Sequence, residues 1–312
     1  MTPEARAAVR TSQIAPVRPP RRSRVRQISG WFLLPALAIY LLVIVYPMVS
    51  GIGYAFTNWN GLDPDFKFVG LANFRRLFGD PQALSALKMT FVFAIGLALL
   101  QNIFGLALAL ALDTRLRSRD PLRVLFFMPV VLTPLLISFL WKYIFSTNGP
   151  LNMVLGAVGL ASLQQGWLGQ PATAVFSVLV AASWQSVGLA MVIYLAGLQS
   201  IPADLAEAAR IDGASRWQVL TLVTLPMLAP AITITVVNSL ITSMKFFDQI
   251  YVLTGGGPGY ATETLSTLIY KTAFAFAETG YGSAISVVFT FVVAAVVLTT
   301  LHLLRQREIE HG

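Results

Sequence analysis

The stretch Leu198–Pro230, LQSIPADLAEAARIDGASRWQVLTLVTLPMLAP, decides how the chain is built, because it interrupts an otherwise apolar sequence with charge. Pro202 stands where a first helical turn accepts proline, and Asp204 and Glu207 suit a helix N-terminus. Leu205, Ala208 and Ala209 recur at i, i+3, i+4 and give this helix a small apolar face. Asp212-Gly213 ends it, since glycine takes a left-handed cap at no steric cost. Ser215, with Gln218 three residues on, has the capping-box pattern and starts a second helix, whose apolar side carries Trp217, Leu220 and Val223. Pro226 disfavours helix at Leu225 and so predicts where the second helix stops. The whole reads as a hook of two short helices.

The hook cannot lie in lipid. Asp204, Glu207, Arg210, Asp212 and Arg216 would each cost roughly 2.5–3.5 kcal/mol at a bilayer centre, about 12 kcal/mol or more together. Strongly apolar segments nevertheless flank it on both sides. A charged hook between two membrane spans is a handle for a soluble partner.

Outward from the hook, the 312 residues are 56% hydrophobic and 12% charged, about half the charge of a soluble domain. The net charge of +8 does not point to nucleic acid, because seven basic residues (Arg6, Arg10, Arg18, Arg21, Arg22, Arg24, Arg26) precede the first apolar run, where they anchor a tail beside anionic lipid headgroups. There is no cysteine, which excludes disulfides, thiolate metal sites and cysteine nucleophiles.

Six apolar runs follow. The first, Trp31 to Phe56, spans 26 residues, about 39 Å as a helix, which crosses a bilayer core with tilt and is too long for a signal peptide. The others run from about Met89 to Leu112, Val124 to Phe145 (interrupted by Pro129 and Pro134), Ala172 to Leu198, Met227 to Val252 and Gly282 to Leu304. The segments 57–87 and 146–170 read as loops. The expected architecture is all-α, a polytopic transmembrane helical bundle. A basic flexible tail occupies 1–30, a six-span domain 31–304 carries the hook at 199–226, and a short tail occupies 305–312. With six spans, the N-terminus, the second loop, the hook and the C-terminus share a side that holds fifteen basic residues against five opposite. The positive-inside rule puts that side, and both termini, in the cytoplasm.

Glu207-Ala208-Ala209, then Gly213, then Val223-Thr224-Leu225-Pro226 resemble the EAA motif (EAA-x3-G-x9-I-x-LP) of binding-protein-dependent ABC importer permeases. Lys67-Phe68-Val69-Gly70-Leu71-Ala72-Asn73-Phe74 and the run Phe247-Asp248-Gln249-Ile250-Tyr251-Val252-Leu253-Thr254-Gly255-Gly256-Gly257-Pro258 look like the carbohydrate-uptake, MalF/UgpA-like branch. The resemblance covers about Trp31 to Leu304; Met89 departs from it, where these relatives often have asparagine. It implies the ABC type I importer permease fold in a bacterial inner membrane. It also implies a second permease subunit, in a heterodimer, two cytoplasmic ATPase subunits and an extracytoplasmic solute-binding protein. This chain would need no cofactor of its own, the partner ATPase binding ATP-Mg.

On that resemblance the hook docks on the ATPase: Glu207 is the ionic contact, Ala208, Ala209 and Asp212 belong to the motif, Gly213 is the bend, and Trp217 and Leu220 face the partner. The bland alternative is a solvated pair of Glu207 with Arg210 at i+3. Gly255 to Gly259 lacks the Lys-Ser/Thr of a phosphate-binding loop and reads as a tight turn. His302 and His311, the two histidines, form no metal or catalytic set. A hydroxyl-rich solute crossing lipid needs polar groups facing a shared cavity. Gln185 and Ser186 on the fourth span and Asn238, Ser239, Thr242 and Ser243 on the fifth are the candidates, although serine and threonine in membrane helices often bond their own backbone. Lys245 and Asp248, three apart, are expected to pair. The rival reading is an ion-coupled secondary transporter, for which buried acids are scarce.

Overall fold

The computed structural model describes residues 30–114 and 117–311, with side chains from 31 to 306. The basic tail read at 1–30 therefore lies, but for Gly30, outside the described residues, as does Arg115. The chain divides into two units at Val49–Ser50. Helix α1, Trp31–Tyr54, begins in the first with a 3-10 turn at Gly30–Leu33. The second unit carries α2 (Ala72–Gly79), α3 (Pro81–Leu112), α4 (Arg119–Val131), α5 (Pro134–Ile144), α6 (Pro150–Ala157) and α7 (Pro171–Gln199). After these come α8 (Ala203–Ile211), α9 (Arg216–Met227), α10 (Ala229–Met244), α11 (Asp248–Leu253), α12 (Leu265–Tyr270) and α13 (Thr279–His311). No strand occurs among the described residues beyond one isolated bridge, Thr57 to Phe68.

Four helices, α1, α3, α7 and α13, are each long and apolar enough to cross a membrane, and two bent pairs, α4–α5 and α9–α10, make six where each pair forms one span. The second span starts earlier than Met89. Asp80 caps it by accepting from the Gln82 N–H and Pro81 occupies its first turn, so the signals read as loop are a helix start. The third span is two helices bent by 100°. Thr133 is extended (ψ 144°), the conformation favoured before a proline, and its hydroxyl accepts from Leu136 N–H to start α5. The expected loop 146–170 contains the helix α6. The sixth span starts at Thr279 and its helix runs on to His311.

Pro226 does not stop the second helix of the hook. Leu225 is helical (φ −65°, ψ −42°) because a π-turn, Leu220–Thr224, precedes it and the Leu225 N–H bonds to Leu220 O, five residues back. The same device precedes Pro47, where the π-turn Leu41–Val45 ends with Tyr46 N–H on Leu41 O. Widening the turn ahead of a proline makes room for its ring and absorbs the missing donor. The chain bends by 68° one turn later, at Leu228, between Pro226 and Pro230. The fifth span then stops at Met244 and not at Val252; Lys245 and Phe247 leave helical geometry before α11 starts at Asp248.

The fourth span, α7, is central: more than half of its most apolar window is buried (56%). One core joins Ala109 and Leu112 of α3 to Met191, Tyr194 and Leu198 of α7 and Leu228 and Ala231 at the start of α10. A second joins Leu77, Ala83 and Ala86 to Leu265, Leu268, Tyr281 and Ile285. Between them Phe93, Phe145, Val178, Ala181, Ile250 and Leu253 close a third. Backbones approach closely at Gly188, where a Cβ would meet Phe126 O at 2.4 Å, so α4 and α7 pack as only a small residue allows.

Candidate functional site

Two helical stripes build one cavity. On α7, Ala182, Gln185, Ser186, Leu189, Ala190 and Ile193 recur at spacings of three and four; on α10, Thr235, Asn238, Ser239, Thr242 and Ser243 do the same. These stripes face a space of about 470 Å³, which Leu97 and Gln101 of α3, Val130 and Pro134 at the α4–α5 bend, and residues 245–249 complete. All six residues singled out from the sequence, Gln185, Ser186, Asn238, Ser239, Thr242 and Ser243, line it.

The hydroxyls are mostly committed as donors. Ser186 Oγ donates to Ala182 O at 2.7 Å, Thr242 Oγ1 to Asn238 O at 2.9 Å and Ser239 Oγ to Val236 O at 2.9 Å. Their lone pairs remain as acceptors. Ser239 already uses one, accepting from Asn102 Nδ2 at 3.0 Å, and Asn102 in turn accepts from Tyr194 OH. Gln185 Nε2 donates to Leu132 O at 2.8 Å, and Gln249 Nε2 donates to Gln185 Oε1. Ser243 Oγ and Gln249 Oε1 are buried without a partner. Such atoms are costly unless something completes them.

Sequence reasoning missed three members. Gln101 and Gln249 line the cavity and are nearly buried (7% and 2% exposed), and Asn102 ties α3 to α10. Gln249 was hidden by the expectation of an unbroken fifth span. That break also overturns the expected Lys245–Asp248 pair: Lys245 ends α10, Asp248 opens α11, and both are exposed at the cavity edge without an ion pair between them. Among the described residues, no three His, Cys, Asp or Glu side chains gather as a metal site would require.

The hook closes its first helix with a Schellman cap. Gly213 has φ +87°, its N–H bonds to Arg210 O at 3.1 Å, and Ala214 N–H reaches back to Ala209 O at 2.9 Å. Ser215 and Gln218 form the capping box of α9. Glu207, Ala208 and Asp212 are exposed, Ala209 and Leu220 half-buried, and Trp217 is 71% exposed. Glu207 makes no ion pair with Arg210. Ile211 and Leu222, which periodicity did not single out, are also bare apolar side chains, at 86% and 71% exposed. The hook thus carries an exposed carboxylate and bare leucine, isoleucine and tryptophan side chains, residue types common at protein–protein contacts.

Residues 101–310 match the family model described as binding-protein-dependent transport system inner membrane component. The starch degradation products transport system permease protein AmyD (a probable assignment) of Thermoanaerobacterium thermosulfurigenes is 35% identical, over 89% of this chain and 94% of its own. The multiple sugar-binding transport system permease protein MsmF of Streptococcus mutans is 35% identical over 92% and 99%. A chain from the crystal structure of a bacterial ABC transporter involved in the import of the acidic polysaccharide alginate superposes with a TM-score of 0.78 at 27% identity, covering 89% of this chain and 96% of that one. The all-α membrane architecture and the sequence agree: the chain belongs to the family of inner-membrane permease components of binding-protein-dependent ABC importers.

Proposed function

We propose that this chain forms half of the translocation path for a sugar or a related polyol or glycerol-phosphate solute, and that a separate cytoplasmic ATPase drives it through the hook. The observation that carries this reading is continuity: the hook joins α7 directly to α10, and those two helices supply the polar stripes of the cavity. A displacement of the hook is thereby a displacement of both walls. The relatives named for starch degradation products and multiple sugars, and the alginate importer, support a carbohydrate class of solute, as do the amides and hydroxyls on the α7 and α10 stripes of the cavity. Gln185, Ser186, Asn238, Ser239, Thr242 and Ser243 would contact it.

In the full assembly, a second permease completes the path, an extracytoplasmic binding protein delivers the solute, and two ATPase subunits bind ATP-Mg. Closure of the ATPases pulls the hooks together and turns the cavity outward; hydrolysis resets it. Glu207 meets the ATPase, with Trp217 and Leu220 in the contact and Ile211 and Leu222 beside them. The ion-coupled alternative gains nothing from the relatives or from the site. In the assembled transporter, Glu207→Lys or Gly213→Pro should abolish both uptake and substrate-stimulated ATP hydrolysis while the chain still inserts. Normal uptake by either variant would refute the coupling role.

A further inference from the structure

We infer that Gln199, gripped by Arg119 and Arg123, is a positioning residue that locks α4 to the hook and makes α4 and α7 a single lever between the ATPase and the cavity; this rests on the coupling role proposed for the hook. Gln199 is the last residue of α7, three before Pro202 opens the hook. With its amide turned so that the oxygen, and not the NH2, meets the two guanidinium donors, as their chemistry requires, it accepts from Arg119 Nη2 at 2.8 Å and from Arg123 Nη2 at 3.0 Å. The two arginines stand at i and i+4 on α4, where like charges repel. Asp113 and Asp120 balance them only from 4.0 and 3.8 Å. Both guanidinium groups are mostly buried, and their Nε atoms find no acceptor among the described residues. One neutral oxygen with two lone pairs is thus what brings both cations to the foot of the hook.

The far end of α4 is tied to the same helix. Leu132, where the chain leaves α4, presents its carbonyl to Gln185 Nε2 at 2.8 Å, and Gln185 holds Gln249 inside the cavity. Between the two ties, Gly188 leaves no space for even a methyl group against Phe126. A helix pinned at both ends and pressed backbone to backbone in the middle moves with its neighbour. Coupling between distant sites requires such rigid, contiguous elements. The clamp therefore determines whether hook motion reaches the α4–α5 bend that forms part of the cavity wall.

The test uses the assembled transporter reconstituted in lipid vesicles, comparing Gln199→Leu, Gln199→Glu and Arg119→Leu/Arg123→Leu with Glu207→Lys. Gln199→Leu should lower uptake and the ratio of substrate-stimulated to basal ATP hydrolysis by roughly tenfold, the scale of a typical intersite coupling. The subunits should still co-purify. Gln199→Glu keeps an acceptor and should restore the ratio. If the double arginine variant fails to insert, the Gln199 pair decides alone. Wild-type stimulation in Gln199→Leu, with Glu207→Lys uncoupled, would overturn the clamp and leave the hook's role intact. Wild-type stimulation in Glu207→Lys as well would bring down both.

Discussion

Gln249 donates through Nε2 to Gln185 Oε1, a bond that crosses 64 positions of sequence and fastens the short helix α11 to the fourth span at the cavity. Gln249 is 2% exposed and its own Oε1 has no partner. Burial without a partner costs an amide about 1–3 kcal/mol, so the pair is worth keeping only if the free acceptor is used by what occupies the cavity. Gln249→Leu should therefore reduce solute uptake strongly at only a small cost in stability, because it removes one unpaired acceptor while leaving Gln185 Oε1 without its donor. Equal uptake with equal thermal stability would remove Gln249 from the path.

Ser239 and Ser243 lie one turn apart on α10, nearly buried (1% and 3% exposed), yet both line the cavity. Ser239 is held by Asn102, whereas Ser243 Oγ is unpartnered. A Ser239→Leu/Ser243→Leu double variant fills the space and deletes both hydroxyls. It should insert normally and lose uptake, measured with the labelled solute in vesicles. Transport at the normal rate would show that the solute does not touch this face.

The hook was legible because its signals are local. A capping box and a glycine cap are fixed by residues within one or two turns of each other, and Ser215, Gln218 and Gly213 behave as those patterns require. The polar candidates on α7 and α10 stood out as amides and hydroxyls within apolar runs, and those on α10 also share one face by helical spacing. Leu225 was misread because the accommodation of Pro226 occurs upstream, in the π-turn from Leu220. The break after Met244 was missed because Lys245-Phe246-Phe247 contains neither glycine nor proline to announce it. Gln101, Asn102 and Gln249 owe their place to partners on other helices, Asn102 to a residue 137 positions away, and no local pattern reports that.

Glu263 is almost fully buried (1% exposed), with Lys271 Nζ at 2.5 Å and Gln82 Nε2 at 2.7 Å. These bonds join the loop after α11 to the first turn of α3 and to the π-turn that follows α12. Removing one partner of a buried pair strands the other charge, at about 3–5 kcal/mol, whereas replacing both is far less costly. Lys271→Met should lower the unfolding temperature of the purified protein clearly, and Lys271→Met/Glu263→Gln should recover most of the loss. A double variant as unstable as the single one would mean that packing of the lysine stem, and not its charge, holds this junction.

The absence of cysteine from the sequence allows the topology to be read with single introduced thiols. Ile211 at the tip of the hook is 86% exposed and Leu62, in the loop after α1, is 82% exposed. Three spans separate them if the bent pair α4–α5 crosses the membrane, which puts them on opposite sides; a re-entrant pair would put them on the same side. Neither arm decides this by its length, since 13 and 11 residues reach only about 20 and 17 Å against a core of about 30 Å. In intact cells an impermeant maleimide should label Leu62→Cys and spare Ile211→Cys, which should react only after permeabilisation. Labelling of both in intact cells would make the pair a re-entrant loop and place the hook beyond the reach of a cytoplasmic ATPase.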